Sequence, residues 1–79
     1  MTQWRLYTRP DCHLCELADE LLRQLAPTLE YDKVNIEGDV ALLSQYGLRI
    51  PVLQRVDTGA ELDWPFDGIA LLDFLHGVR

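Results

Sequence analysis

Hydrophobic residues recur in short regular runs along this chain of 79 residues, and the period of each run distinguishes a strand from a helix. From Gln3 to Thr8 the residues alternate between two faces, which is typical of a short β-strand. From His13 to Leu25 apolar residues follow the period of about 3.6 residues of an amphipathic helix, and Pro27 ends this helix. Its apolar positions are Leu14, Leu17, Ala18, Leu21, Leu22 and Leu25, and the polar positions predicted to face outward are Glu16, Asp19, Glu20, Arg23 and Gln24.

A second strand and a second helix follow. Glu30–Ile36 has the pattern of a strand, and the first helix then forms the crossover of a βαβ unit, which makes the first two strands parallel. Val40–Tyr46 is predicted to be a short helix, closed by Gly47 as the first residue beyond its C-terminus.

The last third of the chain predicts a hairpin and a helix. Val52–Asp57 and Ala60–Trp64 flank a Thr58–Gly59 turn and form an antiparallel pair. Asp67 then caps a final helix. Its predicted apolar contacts come from Ile69, Leu71, Leu72, Phe74 and Leu75. The order is β-α-β-α-β-β-α without a linker or a repeat, so we expect a single domain over residues 1–79 of α/β class.

Composition and charge limit the classes of function. Hydrophobic residues make up 48% of the chain and charged residues 25%, which suits one small globular core. The net charge of −6 argues against nucleic-acid binding, because phosphate contacts need clustered Lys and Arg. The sequence has neither a signal-peptide pattern nor an uninterrupted apolar run of about 18 residues. We therefore expect a cytoplasmic monomer without a membrane partner.

The two cysteines, Cys12 and Cys15, lie three positions apart at the start of the first predicted helix. A helix N-terminus lowers the pKa of a thiol through its partial positive charge and its unpaired N–H groups. A disulfide that closes so short a loop constrains the unfolded chain weakly, and cytosolic disulfides are usually transient and catalytic. The pair therefore predicts a redox site, in which Cys12 attacks a disulfide and the more buried Cys15 resolves the mixed disulfide.

Three motifs resemble those of glutaredoxins, members of the thioredoxin-fold superfamily, and together they span nearly the whole chain. The strand Leu6–Thr8 leads through Arg9–Asp11 into Cys12-His13-Leu14-Cys15, the Ile50–Pro51 pair precedes the hairpin, and Asp67–Gly68 starts the last helix. The resemblance implies a thioredoxin-like fold, with a four-stranded mixed sheet flanked by three helices. It also implies a thiol–disulfide oxidoreductase that reduces or exchanges disulfides of a protein or of a glutathione mixed disulfide.

The same resemblance implies roles for residues outside the cysteine pair. Pro51 would follow a cis peptide bond and lie beside the cysteines, where the backbone of Ile50 pairs with an extended substrate. Arg9 would contact the glycyl carboxylate of glutathione as co-substrate, and Asp67 would receive its amino group. A solvated arginine and a plain helix cap are the alternatives for these two residues. No tightly bound cofactor is expected.

The motif departs from that of typical glutaredoxins at several positions. His13 stands where they carry Pro, Leu14 replaces their usual Tyr, and Trp64-Pro65-Phe66 replaces a Gly-Gly pair. A protonated His13 would stabilise the Cys12 thiolate and make the pair more oxidising, whereas a solvated His13 would do neither. The two aromatic residues would either line a groove beside the cysteines or fill the core.

Two other classes of function remain open at this stage. In the first, the cysteines bind zinc or an iron–sulfur cluster together with His13 or His76, or across a dimer in which glutathione supplies thiols. A single C-x-x-C lacks the second ligand pair of structural zinc sites, which argues against this class. In the second, the fold is a non-catalytic adaptor and its cysteines are incidental.

Overall fold

The computed structural model describes residues 3–77 and contains all seven predicted elements in the predicted order. The first two and the last two residues of the predicted domain lie outside the described residues. The elements are β1 Trp4–Thr8, α1 His13–Leu25, β2 Asp32–Asn35, α2 Val40–Tyr46, β3 Val52–Arg55, β4 Glu61–Asp63 and α3 Gly68–Leu75. The predicted β-α-β-α-β-β-α order is confirmed.

The four strands form one mixed sheet in the order β2-β1-β3-β4. β1 and β2 are parallel, with Tyr7 opposite Val34, and α1 is the crossover between them. β3 runs antiparallel to both β1 and β4, with Val52 opposite Tyr7. This is the mixed sheet of a thioredoxin-like fold, as predicted.

Two cores lie on opposite faces of the sheet, because successive side chains of a strand point to opposite faces. On one face β1 and β3 pack against α1 and α3, and we call this cluster the α1/α3 core. Its buried members are Trp4, Leu6, Ala18, Leu22, Leu53, Phe66, Leu71 and Phe74. On the other face the sheet packs against α2, and the buried members of this α2 core are Tyr7, Ile36, Tyr46 and Val52.

The three strands other than β1 are shorter than their sequence patterns predict. β2 covers Asp32–Asn35 rather than Glu30–Ile36, although Ile36 N–H still donates to the Thr8 carbonyl at 2.9 Å. β2 is an edge strand whose Asp32, Lys33 and Asn35 are exposed, so hydrophobic alternation does not define its ends.

The buried face of α1 differs from the predicted one. It consists of Cys15, Ala18, Asp19 and Leu22, so Asp19 is buried rather than facing outward. The apolar stripe of this helix is wider than the surface that the sheet and α3 cover. Three of its leucines are therefore exposed, namely Leu14, Leu17 and Leu25.

Two further predictions are wrong in detail. Ile69, predicted to supply a core contact from α3, is 74% exposed, because Leu71 and Phe74 define the face of α3 that packs inward. Gly47 has right-handed helical backbone angles and its N–H donates to the Leu43 carbonyl at 2.9 Å, so it continues the last turn of α2.

Within residues 3–77, no helix is long and apolar enough to span a bilayer.

Candidate active site

Cys12 is the N-cap of α1, and its side chain takes part in the cap. Its Sγ accepts a hydrogen bond from the Cys15 N–H at 3.2 Å, and its carbonyl accepts one from the Glu16 N–H at 3.1 Å. The two cysteines are joined as a disulfide, with their Cα atoms 5.2 Å apart. Cys12 is half-buried whereas Cys15 is only 5% exposed, which is the predicted order of burial.

The backbone reverses sharply just before this cap. Asp11 has a φ of 58°, in the left-handed region that Asp and Asn tolerate better than most other side chains. This turn, together with Pro10, carries the chain from the end of β1 to the start of α1. Cys12 is therefore presented at an exposed turn, followed immediately by a helix N-terminus.

A cavity of about 220 Å³ opens beside the disulfide. Arg9 lines it together with both cysteines, and Asp19 and Lys33 line it as well. The structure thus brings Arg9 to the cysteine pair, as the predicted role requires.

A larger cavity of about 540 Å³ lies at the other end of α1, beside Leu25, Leu72 and Leu75. At a rise of about 1.5 Å per residue, roughly 18 Å of helix separates Leu25 from His13. The residues that line the larger cavity include no cysteine. We therefore place the candidate site at the smaller cavity, beside the cysteine pair.

Asp19, which is itself buried, is the centre of a polar cluster that adjoins the cysteine pair. Tyr31 donates its hydroxyl hydrogen to Asp19 Oδ1, Arg23 Nη2 lies 2.9 Å from Oδ2, and Lys33 Nζ lies 3.3 Å from the same oxygen. Burial raises the pKa of Asp19, but the hydrogen bond from Tyr31 and the charges of Lys33 and Arg23 outweigh it and lower the pKa below its usual value. Burial and Asp19 raise the pKa of Tyr31 to about 12, so Tyr31 remains a donor.

The residue pattern did not predict this cluster, although the sequence contains one signal for it. Asp19 lies four residues after Cys15, which places the two on one face of a helix. If Cys15 faces the interior, as a resolving cysteine is expected to, Asp19 must do so as well.

The Ile50–Pro51 peptide bond is cis, as predicted, and Pro51 is buried. The next residue, Val52, pairs with Tyr7 of β1. Because β3 runs antiparallel to β1, Pro51 lies at the end of β1 that leads into the cysteines. Ile50 N–H donates to the Tyr46 carbonyl at 3.1 Å, so this N–H already has a partner within the protein.

An ionic network holds the loop before Pro51 in place. Arg49 binds Asp63 with two nitrogens, at 2.9 and 2.8 Å, and Glu61 with Nη2 at 2.6 Å. Tyr46 donates to the other oxygen of Glu61 at 2.5 Å. Hydrogen bonds from Arg49 lower the pKa of Asp63, and those from Arg49 and Tyr46 outweigh burial and lower the pKa of Glu61. This network joins the loop to β4 and was not predicted from the sequence.

His13 and Asp67 do not line the cavity beside the disulfide. The His13 side chain is 79% exposed, and its Nδ1 lies 4.0 Å from Glu16 Oε1. Asp67 caps α3 by accepting the Ala70 N–H at 2.8 Å. The next residue, Gly68, lies against Leu25, since a Cβ there would meet Leu25 Cδ1 at 2.9 Å. Gly68 is thus in contact with the last residue of α1.

The two aromatic residues of the Trp64–Phe66 segment belong to the core. Phe66 is buried in the α1/α3 core and Trp64 packs against it, with their rings edge to face at 5.0 Å. The Trp64–Pro65 bond is also cis.

Over residues 3–77, no group of three or more His, Cys, Asp and Glu side chains is arranged to hold a metal ion.

Comparison with known proteins gives a consistent family. A model described as "Glutaredoxin-like domain (DUF836)" matches residues 4–76. The crystal structure of target protein XcR50 from X. campestris is 46% identical, covers 96% of this chain and 99% of its own, and has a TM-score of 0.86. The solution structure of protein Ne2328 from Nitrosomonas europaea is 32% identical, covers 91% of this chain and 88% of its own, and has a TM-score of 0.77.

A more distant structural neighbour has the same fold. The crystal structure of a mutant of the thioredoxin-like protein BC3987 is 21% identical over the full length of both chains, with a TM-score of 0.65. No protein of curated function matches this sequence.

Proposed function

Since the chain belongs to the glutaredoxin-like domain family, we propose that it is a dithiol–disulfide oxidoreductase in which Cys12 attacks and Cys15 resolves. One observation carries the proposal. The Cys12 sulfur, half-exposed at the N-terminus of α1, accepts the Cys15 N–H at 3.2 Å. A hydrogen bond and a helix N-terminus both stabilise the anionic form of a sulfur, which is the nucleophile in disulfide exchange.

The proposed reaction starts from the reduced protein. The Cys12 thiolate attacks one sulfur of a substrate disulfide, the substrate S–S bond breaks, and the departing thiolate takes up a proton. Cys15 then loses its proton and attacks Cys12 Sγ, which releases the second substrate thiol and forms the Cys12–Cys15 disulfide. Two electrons have passed to the substrate, and an external thiol returns the protein to its dithiol form.

Glutathione is the co-substrate that this site favours. Arg9 lines the cavity beside Cys12 and offers paired N–H donors suited to a carboxylate. The Ile50 carbonyl accepts from the backbone of an extended peptide in this proposal. Asp67 has no part in it, because it caps α3 and does not line the cavity beside Cys12.

The partner is a disulfide-containing protein or a glutathione mixed disulfide, and the proposed form is a cytoplasmic monomer. Thiols are kept reduced in that compartment, which lets a dithiol act as a reductant. A disulfide that closes four residues suits transient use better than a structural role.

The test is a redox titration of the pair in glutathione buffers, with mass detection of adducts on single-cysteine variants. In Cys15→Ser, Cys12 should form a stable glutathione adduct, since the resolving thiol is missing. The matched variant Cys12→Ser should form little adduct at neutral pH, because Cys15 is buried. Equal adducts on both variants, or an adduct on neither, would contradict the proposal.

A further inference from the structure

The buried carboxylate of Asp19 lies one helical turn from the resolving cysteine. Cys15 and Asp19 are four residues apart on the same face of α1, where neighbouring Cβ atoms are about 5 to 6 Å apart. Both line the cavity beside the disulfide. Helical side chains lean toward the N-terminus, so the Asp19 carboxylate leans toward the turn that carries Cys15.

The Asp19 cluster keeps a negative charge in this place. Tyr31, Lys33 and Arg23 supply a hydrogen bond and two cations, which stabilise the carboxylate although the residue is buried. The cations differ in position. Lys33 faces the same cavity as the sulfurs, whereas Arg23 does not line it and its side chain is 69% exposed.

Cys12 and Cys15 therefore have different electrostatic surroundings. Cys12 receives an N–H hydrogen bond and lies at the positive end of α1, where an anionic sulfur is favoured. Cys15 lies next to an anion, and a second negative charge close to a carboxylate is unfavourable. The other charged groups that line the cavity are Arg9, Asp11, Glu16 and Lys33.

We propose that Asp19 is a positioning residue of the cysteine pair, whose buried carboxylate holds Cys15 as a neutral thiol so that Cys12 carries the anionic sulfur of the reduced protein. This inference rests on the proposed function, in which Cys12 attacks first. It assigns the order of ionisation to a residue that takes no part in the bonds made and broken. Lys33 has the opposite effect, because its ammonium group favours an anionic Cys15.

The test measures the ionisation of Cys15 alone. In a Cys12→Ser background, the rate of Cys15 alkylation is followed against pH, with and without Asp19→Asn. Asparagine has the shape of aspartate and still accepts the hydrogen bond from Tyr31. The substitution removes the anion and leaves Lys33 uncompensated, and both effects favour the thiolate.

The expected shift follows from Coulomb's law. Two unit charges about 6 Å apart, at an effective dielectric constant of about 20, shift a pKa by about two units, and the nearby cations reduce this to about one. Asp19→Asn should therefore lower the pKa of Cys15 by about one unit, a tenfold gain in thiolate well below that pKa. Lys33→Gln should raise it.

The opposite signs separate electrostatics from a structural effect. If Asp19 acted only through packing, both substitutions would disturb the cluster and move the titration in the same direction. Glu20→Gln is the matched control, because Glu20 is an exposed carboxylate next to Asp19 on the same helix, and water screens its charge. It should shift the pKa of Cys15 by less than about 0.3 units.

A fall with Asp19→Asn, a rise with Lys33→Gln and little change with Glu20→Gln support the proposal, and any other combination overturns it. If Asp19→Asn does not fold, Lys33→Gln decides, since Lys33 is half-exposed, and a pKa that does not rise overturns the proposal. The measurement involves no turnover, so failure here leaves the proposed function to its own glutathione test.

Discussion

The sulfur of Cys12 accepts an N–H hydrogen bond at 3.2 Å, whereas Cys15 is buried on the face of α1 that also carries Asp19. Two identical side chains thereby have different surroundings. The residue pattern predicted the position of Cys12, because a helix start is visible in it. It did not predict the burial of Asp19, because residue type favours an outward aspartate and only the packed structure identifies Tyr31 and Lys33 as its partners.

The Tyr31 hydrogen bond to Asp19 gives a pH-dependent prediction. The folded pKa of Asp19 is lowered, so its stabilising effect is present above the unfolded pKa of about 3.9 and is lost as the pH falls through the folded pKa. Tyr31→Phe should lower the free energy of unfolding at pH 7 by about 1 to 3 kcal/mol. The loss should shrink below about pH 3.9. Urea unfolding across this pH range measures both effects.

Thr58→Ala is the control for this measurement. The Thr58 hydroxyl accepts the Ala60 N–H at 3.2 Å, a bond between two neutral groups, so its removal should cost the same free energy at each pH. A loss for Tyr31→Phe that stayed constant from pH 7 down to strongly acidic solution would contradict the account of Asp19.

At the scale of elements, α1, α2 and α3 begin at the residues that the sequence pattern predicted, whereas β2, β3 and β4 are shorter than their patterns suggested. Asp39 and Asp67 each accept an N–H at the start of their helix, which local sequence is sufficient to predict. The position of α3 beside Leu25 cannot be predicted from the local sequence. It depends on how Phe66 and Leu71 fill the core.

The loop before Pro51 is a second example at this scale. Arg49 reaches Glu61 and Asp63, which are 12 and 14 residues away in sequence. Nothing local in the sequence indicates these partners, because they meet only after the hairpin has folded back along β3. The sequence motif therefore identified Pro51, whereas the ion pairs that hold the loop before it could be found only in the structure.

Capping and glutathione binding make different predictions for Asp67. Asp67→Ala should lower the free energy of unfolding by about 1 kcal/mol, as should the matched variant Asp39→Ala in α2. Asp67→Asn keeps the cap and removes the charge, so we expect unchanged stability and an unchanged rate of glutathione adduct formation on Cys12. Urea unfolding and mass spectrometry provide the two measurements.

A slower adduct rate in Asp67→Asn, with normal stability and a normal rate in Asp39→Asn, would give Asp67 the substrate role that the family resemblance implied. It would also contradict the proposal that Asp67 serves only as a helix cap.

At the scale of the whole molecule, the topology assembles the site. Parallel pairing of β1 with β2 makes α1 a crossover helix whose N-terminus follows β1, and antiparallel β3 brings Pro51 to the same end of the sheet. The first fact follows from the βαβ order that the sequence pattern predicted, and the second agrees with the mixed sheet that the family resemblance implied. The charged clusters around Asp19 and Arg49 depend on tertiary contacts and therefore had to be found in the structure.

The most direct test of the central claim is the pH dependence of alkylation in the reduced protein, with each cysteine quantified by mass spectrometry. We expect Cys12 to react with an apparent pKa well below about 8.5 while Cys15 remains almost unmodified at neutral pH. Equal and slow reaction of both thiols, each with an apparent pKa near about 8.5, would contradict the account.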